Sequence, residues 1–290
     1  MKTVFVNIGT SGDYFNLGDA NCSPRDFVDS RLARQCWTSP IEDDVTHIVF
    51  GGGGMLMAPC LNYLKRLGDA RGYLEGLHYH GIQLAIWGAG LNTPFDGGVM
   101  AQFAKVLNRF SLVGIRDKSF AREHGFDWVP CASCMLPEFG QPHPAIGREI
   151  PVLGYFQDPG LHYLLPQHYA LPRKGWRLIS NRDRRMDLGY LVNAMDRSQV
   201  FVTDSYHGAY WAALRNHPKI VLYGDLGARM ATGLPFALPH ARTPDELAVM
   251  IRYGVEKPAP AGFLETCRSA NFMFKHRLLA AGFCLDNEKF

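Results

Sequence analysis

The sequence predicts an α/β fold of two doubly wound domains facing each other across a cleft. Three observations carry this expectation. Short apolar runs alternate with helix-like stretches through both halves of the chain, the pattern of parallel sheets covered by helices. Glycine turns, an arginine and a Ser-x-His-Gly turn follow directly on several of these runs, at the strand ends where open sheets bind ligands. The length of 290 residues, against a prior of about 150 per domain, suits two domains.

Composition narrows the class further. Hydrophobic residues at 47% and charged residues at 20% describe an ordinary globular chain, neither disordered nor fibrous. A net charge of +3 is too small to argue for nucleic acid, and leaves room for a locally basic cleft around an anionic substrate. The seven cysteines are odd in number and scattered, which points to a reducing cytoplasm rather than a disulfide framework. No stretch approaches the ~20 apolar residues of a membrane span, and Met1 to Asn7 lacks the long apolar core of an export signal.

Thr3 to Val6 reads as the first strand and runs into a loop with Asn7, Gly9, Gly12, Asn16, Gly18 and Asp19. Glycine lets main chain approach a ligand, and Asn and Asp bind hydroxyls, although a plain surface loop has the same composition. Arg25 to Gln35 is expected to be helical. Thr46 to Phe50 is the next strand, ended by Gly51 to Gly54, whose missing side chains let backbone N–H groups line a concavity. The run fits neither nucleotide fingerprint: Leu56 and Met57 stand where G-x-G-x-x-G needs glycine, and no Gly-Lys-Ser/Thr follows.

A helix over Leu61 to His80 leads to the strand Ile82 to Trp87 and the turn Gly88-Ala89-Gly90. A helix over Gly98 to Arg109 precedes the strand Ser111 to Ile115, which ends in Arg116-Asp117-Lys118-Ser119. Asp117 or Ser119 can cap the short helix that stops at Gly125. Arg116, at the strand tip, suits two-point binding of a carboxylate or phosphate; a structural ion pair with Asp117 or Glu123 is the alternative. Prolines and glycines from Pro130 to Pro151 then break any long element, with the interdomain linker around Glu138 to Ile150. The lone Cys131-x-x-Cys134 reads as reduced, buried thiols, because no second pair accompanies it for zinc.

The second half repeats the architecture, with strands Val152 to Phe156, Trp176 to Ile179, Val200 to Thr203 and Lys219 to Tyr223, and a helix Asp187 to Met195. Ser180 to Arg185 is a basic loop, either a solvated turn or a source of cations, through Arg182, Arg184 or Arg185, for a bound anion. Val200 to Leu214 is the centre of the chain: an apolar run, a turn with Ser205, His207 and Gly208, then an amphipathic helix. That order puts a titratable imidazole at a strand's carboxyl end and a helix's amino end, where a histidine is a ligand-site candidate or simply a cap. Thr243-Pro244-Asp245-Glu246 is a capping box that starts a helix to Tyr253, and Phe263 to Ala281 is the last helix. The expected domains are residues 1–145 and 146–262, with 263–290 as a C-terminal helix packing back on the body.

These residues together resemble the polysaccharide pyruvyl transferases. The resemblance rests on Asn16, Gly18 and Asp19, on Gly51 to Gly54 after a strand, and on the Gly88-x-Gly90 turn. Arg116-Asp117-x-Ser119 and Ser205-x-His207-Gly208 before a helix and a strand complete it, over about Asn7 to Tyr223, roughly three quarters of the chain. The chain departs from the family where an Asp-Pro pair often follows the Arg-Asp-x-Ser helix and this sequence has Trp128-Val129-Pro130-Cys131.

The resemblance implies a GT-B-like pair of Rossmann-like domains, phosphoenolpyruvate as donor and hydroxyls of a lipid-linked oligosaccharide as acceptor, in exopolysaccharide ketal formation. It implies catalytic roles for His207 and Arg116. Substrate binding falls to Asn16, Gly18, Asp19, Gly52, Gly53, Gly54, Gly88, Gly90, Ser119, Arg182, Arg184, Ser205 and Gly208, with sugar on the first domain and donor on the second. It requires no metal or cofactor, and it puts the protein in the cytoplasm, with peripheral attachment to the inner membrane following from the acceptor's lipid. The competing expectations are a GT-B-type glycosyltransferase using a nucleotide-activated sugar, and a non-catalytic carbohydrate-binding subunit.

Overall fold

The computed structural model describes residues 1–7, 15–36, 42, 44–56, 81–91, 97–142, 147–168, 171, 175–225, 233–254 and 259–285. The chain is an α/β protein with two parallel sheets, of six and five strands, as the alternation of runs requires. It divides into two compact units: Met1–Ser11, Asp19–Met135 and Cys267–Phe290 form unit 1, and Gly12–Gly18 with Leu136–Thr266 forms unit 2. Two short segments thus belong with the unit that is distant in sequence.

The described helices are α1 (Leu17–Ala20), α2 (Pro24–Val28), α3 (Gly97–Leu107), α4 (Lys118–Glu123), α5 (Pro159–Leu164), α6 (Leu188–Asp196), α7 (Tyr206–Leu214), α8 (Pro244–Tyr253) and α9 (Phe263–Ala280). In unit 1 the strands β1 (Lys2–Asn7), β2 (Ala33–Cys36), β3 (Val45–Gly51), β4 (Gln83–Ala89), β5 (Leu112–Ile115) and β6 (Asp127–Trp128) lie in the order β2-β1-β3-β4-β5-β6. All pair in parallel. Successive side chains of a strand point to opposite faces, and both faces here are buried, so the runs are continuously apolar. Val4, Val6, Ile48, Phe50, Leu84 and Ile86 pack on one face with Phe103 and Leu107 of α3 and Phe120 of α4. Phe5, Val49, Ala85 and Trp87 pack on the other with Phe274 and Leu278 of α9.

Helix α9 buries Cys267, Asn271, Phe274 and Leu278, a stripe at three- and four-residue spacing. Its polar member is fully satisfied. Asn271 Oδ1 accepts the Trp87 Nε1–H at 2.8 Å, and its Nδ2 donates to the carbonyls of Pro130 at 3.2 Å and Cys267 at 3.0 Å.

Unit 2 carries β7 (Ile150–Phe156), β8 (Trp176–Ser180), β9 (Ser198–Thr203), β10 (Ile220–Tyr223) and β11 (His240–Ala241) in the order β11-β10-β9-β7-β8, again all parallel. Val152, Phe156, Val200, Val202, Val221 and Tyr223 share one core with Leu247 of α8. The cap expected at Thr243 forms, its Oγ1 accepting the Glu246 N–H at 3.2 Å, and Asp187 caps α6 in the same way, accepting the Tyr190 N–H at 2.7 Å.

Some elements differ from expectation. Arg25 to Gln35 is not one helix: α2 ends at Val28, Asp29 Oδ1 takes the Arg31 N–H at 2.8 Å, and Ala33–Cys36 pairs with β1 as an edge strand. The ladder to β1 overrides helix propensity there. Helix α7 is not amphipathic, since all nine of its residues are buried and its Tyr, Trp, Ala and Gly composition offers no polar face. Asp117 precedes α4 but makes no side-chain cap bond; its Oδ2 accepts the Leu91 N–H instead, at 2.8 Å. The two-residue strands β6 and β11 are too short to announce themselves as apolar runs. The helix expected over Leu61 to His80 lies outside the described residues.

Candidate functional site

Each sheet has one place where the connections leave in opposite directions, and ligands in doubly wound folds bind at the carboxyl ends of the strands flanking it. In unit 2 it lies between β7 and β9. Their two ends are tied by Asp204, whose Oδ1 accepts the Gln157 N–H at 2.6 Å and whose Oδ2 accepts the Asp158 N–H at 3.1 Å. Burial pushes the Asp204 carboxyl up to about 6, against the opposing pull of these two bonds. Thr203 Oγ1 donates to the Tyr155 carbonyl at 2.7 Å and accepts the Ser205 N–H at 3.0 Å, fixing the turn into α7.

Ser205 is the N-cap of α7, with its Oγ accepting the Gly208 N–H at 3.5 Å and the Gln157 amide at 3.4 Å. Gly208 is needed for close packing: a Cβ there would lie 2.4 Å from Thr203 Oγ1 and 2.7 Å from Tyr155 Cδ1. His207 stands in the first turn of α7, only 5% exposed, with the Tyr206 and Trp211 rings each 5.4 Å from its own.

Two more segments complete this end of unit 2. Asn16 and Gly18 belong here, with Gly18 directly against the His207 ring, and the Leu17 N–H donates to the Asn181 carbonyl at 2.8 Å. Asn181 is fully buried, and neither its Oδ1 nor its Nδ2 has a hydrogen-bond partner among the described residues. Arg182 and Arg184 are exposed in the loop after β8, and Arg185 is engaged with Asp183 at 2.9 Å.

In unit 1 the corresponding place is between β1 and β3. Gly52 and Gly53 adopt left-handed φ values of +85° and +70°, open to glycine and strained for other residues. Space excludes a side chain at Gly52, whose Cβ would meet the Cys22 carbonyl at 2.4 Å, and one on Gly53 would push against Asp19 Oδ1 at 2.8 Å. Gly54 is buried at the end of the run. The Gly90 N–H donates to the Gly53 carbonyl at 3.1 Å, joining this turn to the end of β4, where Gly88 is also left-handed at +65°.

Arg116 is 2% exposed and lies across Gly90, whose Cβ would fall 1.9 Å from Arg116 Nε. Burial raises the Asp19 carboxyl to about 6, with the Arg116 charge pulling the other way. Burial likewise raises Asp117, opposed by Arg116 and by the Leu91 N–H. Ser119 is exposed on α4, away from these turns in sequence and burial. Cys22 and Cys131 are buried and their thiols are pushed up by burial, the state of inert reduced cysteines. Among the described residues no group of His, Cys, Asp and Glu is arranged to hold a metal ion.

The glycine turns, Arg116, Ser205 and His207 are legible in the sequence, whereas Gln157, Asn181 and Asp204 emerge from the fold. Asp204 carried a usable signal, an acid immediately after the apolar run of β9; the other two stand out only through their contacts.

The fold and these strand-end residues define a two-unit α/β protein with a buried arginine at one sheet's binding edge and a buried histidine at the other's. The model of the polysaccharide pyruvyl transferase family matches residues 4–225, and the chain belongs to that family. It is accordingly a transferase of the pyruvyl-transferring kind. No curated protein matches the sequence. Among solved structures, an uncharacterized protein from Klebsiella pneumoniae subsp. pneumoniae NTUH-K2044 is similar, with 11% identity and a TM-score of 0.45 over 83% of this chain and 93% of that one.

Proposed function

We propose that this chain transfers pyruvate from phosphoenolpyruvate to two hydroxyls of a sugar in a lipid-linked oligosaccharide, forming a cyclic ketal during exopolysaccharide assembly. The observation that carries the proposal is His207, held at the amino end of α7 beside the switch point of unit 2, in a chain of this family.

His207 gives a proton to the methylene carbon of the donor, leaving an oxocarbenium-like centre at C2. One sugar hydroxyl adds there, the C2–O bond to phosphate breaks, and the second hydroxyl closes the ring. The atoms balance: of the two hydroxyl protons released, one restores the imidazolium and the other leaves with phosphate. Arg116 binds the donor's carboxylate or phosphate, with Arg182 or Arg184 as further cations. Asp19, Asn16 and the glycine turns supply polar groups and open main chain to the substrates. A lipid-linked acceptor places the working protein at the cytoplasmic face of the inner membrane. Peripheral attachment follows in this proposal from the acceptor's lipid alone; no described helix is long and apolar enough to cross a membrane.

The test is the reaction run in D2O with phosphoenolpyruvate and candidate acceptors, reading phosphate release and the product's mass. The expected ketal carries one deuterium in its methyl group. His207→Gln should lose about 10² to 10⁴ of the turnover, the usual worth of general acid catalysis. Binding of a nucleotide sugar with no response to phosphoenolpyruvate would overturn the proposal, as would near-normal turnover by His207→Gln.

A further inference from the structure

Gly18 has no conformational reason to be glycine. Its φ lies outside the left-handed region, and it sits in the short helix α1, where alanine is favoured over glycine by about 1 kcal/mol. What excludes a side chain is the imidazole. A Cβ on Gly18 would lie 2.2 Å from His207 Nδ1 and 2.6 Å from Cγ, far inside any real carbon contact. The segment cannot simply retreat, because it is tied twice. The Gly18 N–H donates to Asn16 Oδ1 at 2.8 Å, and the Leu17 N–H donates to the Asn181 carbonyl at 2.8 Å.

Two aromatic rings pack against the imidazole as well. Tyr206 meets it edge-on with the planes at 79°, and Trp211 lies against it at 38°. The Nδ1 edge therefore faces main chain at Gly18, and Nε2 is the nitrogen remote from that wall.

We propose that Gly18 is a positioning residue for His207: its bare Cα forms the wall against the Nδ1 edge that sets the imidazole for proton transfer. This rests on the pyruvyl-transfer proposal above. Its consequence is that the element Asn16-Leu17-Gly18, 189 residues before the histidine, acts through that histidine.

The test is a double-mutant cycle of Gly18→Ala and His207→Ala, with kcat and the KM for phosphoenolpyruvate measured separately. Gly18→Ala should lower kcat by about 10- to 100-fold with KM changed less than about 3-fold, part of the full worth of the acid. In the His207→Ala background it should lower kcat no further. Equal losses in both backgrounds would overturn the proposal, and so would an unchanged kcat. A second readout is independent of turnover: the imidazole ¹⁵N signals that vanish in His207→Ala should move in Gly18→Ala, and static signals would refute the contact. If Gly18→Ala does not fold, recovery of folding in the double variant supports the clash, and failure to recover overturns it. A wild-type protein that transfers no pyruvate would sink the functional proposal while the ¹⁵N arm still decides the role of Gly18.

Discussion

The helix that carries His207 is fastened at its far end by a buried ion pair, and removing one partner should be among the most damaging changes in unit 2. Arg215, at the C-cap of α7, reaches Asp196 through Nε to Oδ1 at 3.0 Å and Nη2 to Oδ2 at 2.6 Å. Its Nη1 donates to the carbonyls of Gln141 at 2.6 Å and Phe139 at 3.3 Å, so one guanidinium joins α6, α7 and the segment that opens unit 2. The two side chains are only 3% and 5% exposed, so water cannot replace a lost partner. Asp196→Ala leaves the guanidinium buried with two carbonyls, and the expected cost is about 3 to 5 kcal/mol. That is a large part of a typical domain stability of about 5 to 15 kcal/mol. Arg215→Met should be comparably damaging, since it strands both the carboxylate and the two carbonyls. The double variant Asp196→Leu/Arg215→Met should recover much of the loss, because the uncompensated charges are gone. Urea unfolding of the three variants measures this. A cost below about 1 kcal/mol for Asp196→Ala would show the pair behaving as a screened surface contact and refute the reasoning.

Gly90→Ala should displace Arg116, because its Cβ would lie 1.9 Å from Nε and 2.6 Å from Cδ while the main chain is held by Gly53 and Leu56. Phosphoenolpyruvate binding by calorimetry should weaken by about 30-fold or more, the equivalent of losing a buried charged contact worth 2 kcal/mol, and Gly90→Ala added to Arg116→Ala should cost little further. A Gly90→Ala protein that binds within about threefold of wild type would contradict the placement of that arginine. The Asp204 carboxyl titrates at about 6 when folded against 3.8 as its ordinary value, so the folded state holds its proton more tightly than the unfolded one. Its contribution is present below about pH 4 and lost as pH rises to about 6; Asp19 works in the same direction. Urea midpoints of wild type should therefore fall between pH 4.5 and pH 7.5 relative to those of Asp204→Asn, and parallel profiles would show that the carboxyl is not destabilised by burial.

Much of the fold is legible in the sequence because both sheets are parallel and buried on two faces. Continuous runs such as Val4 to Val6, Thr46 to Phe50 and Val200 to Thr203 can then be read as strands without any partner in view. What is illegible is decided by partners. Ala33–Cys36 has no apolar run and becomes a strand only because β1 offers it an edge. The mirror case is α7, whose own composition marks a helix but whose complete burial depends on the strands and aromatic rings around it.

The site divides along the same line. Glycines that need a left-handed φ, Gly52, Gly53 and Gly88, betray themselves by clustering after apolar runs. Gly18 and Gly90 do not need one; each is glycine because a particular side chain, His207 or Arg116, occupies the space a Cβ would take. Such a requirement belongs to a pair of residues, 189 and 26 positions apart, so no local pattern can express it. It also links the two kinds of residue in one argument: at each sheet's binding edge, the group with chemistry lies on a glycine supplied by another part of the chain. Replacing the glycine should then imitate replacing the chemical group, which separates a positioned histidine or arginine from one that is merely buried.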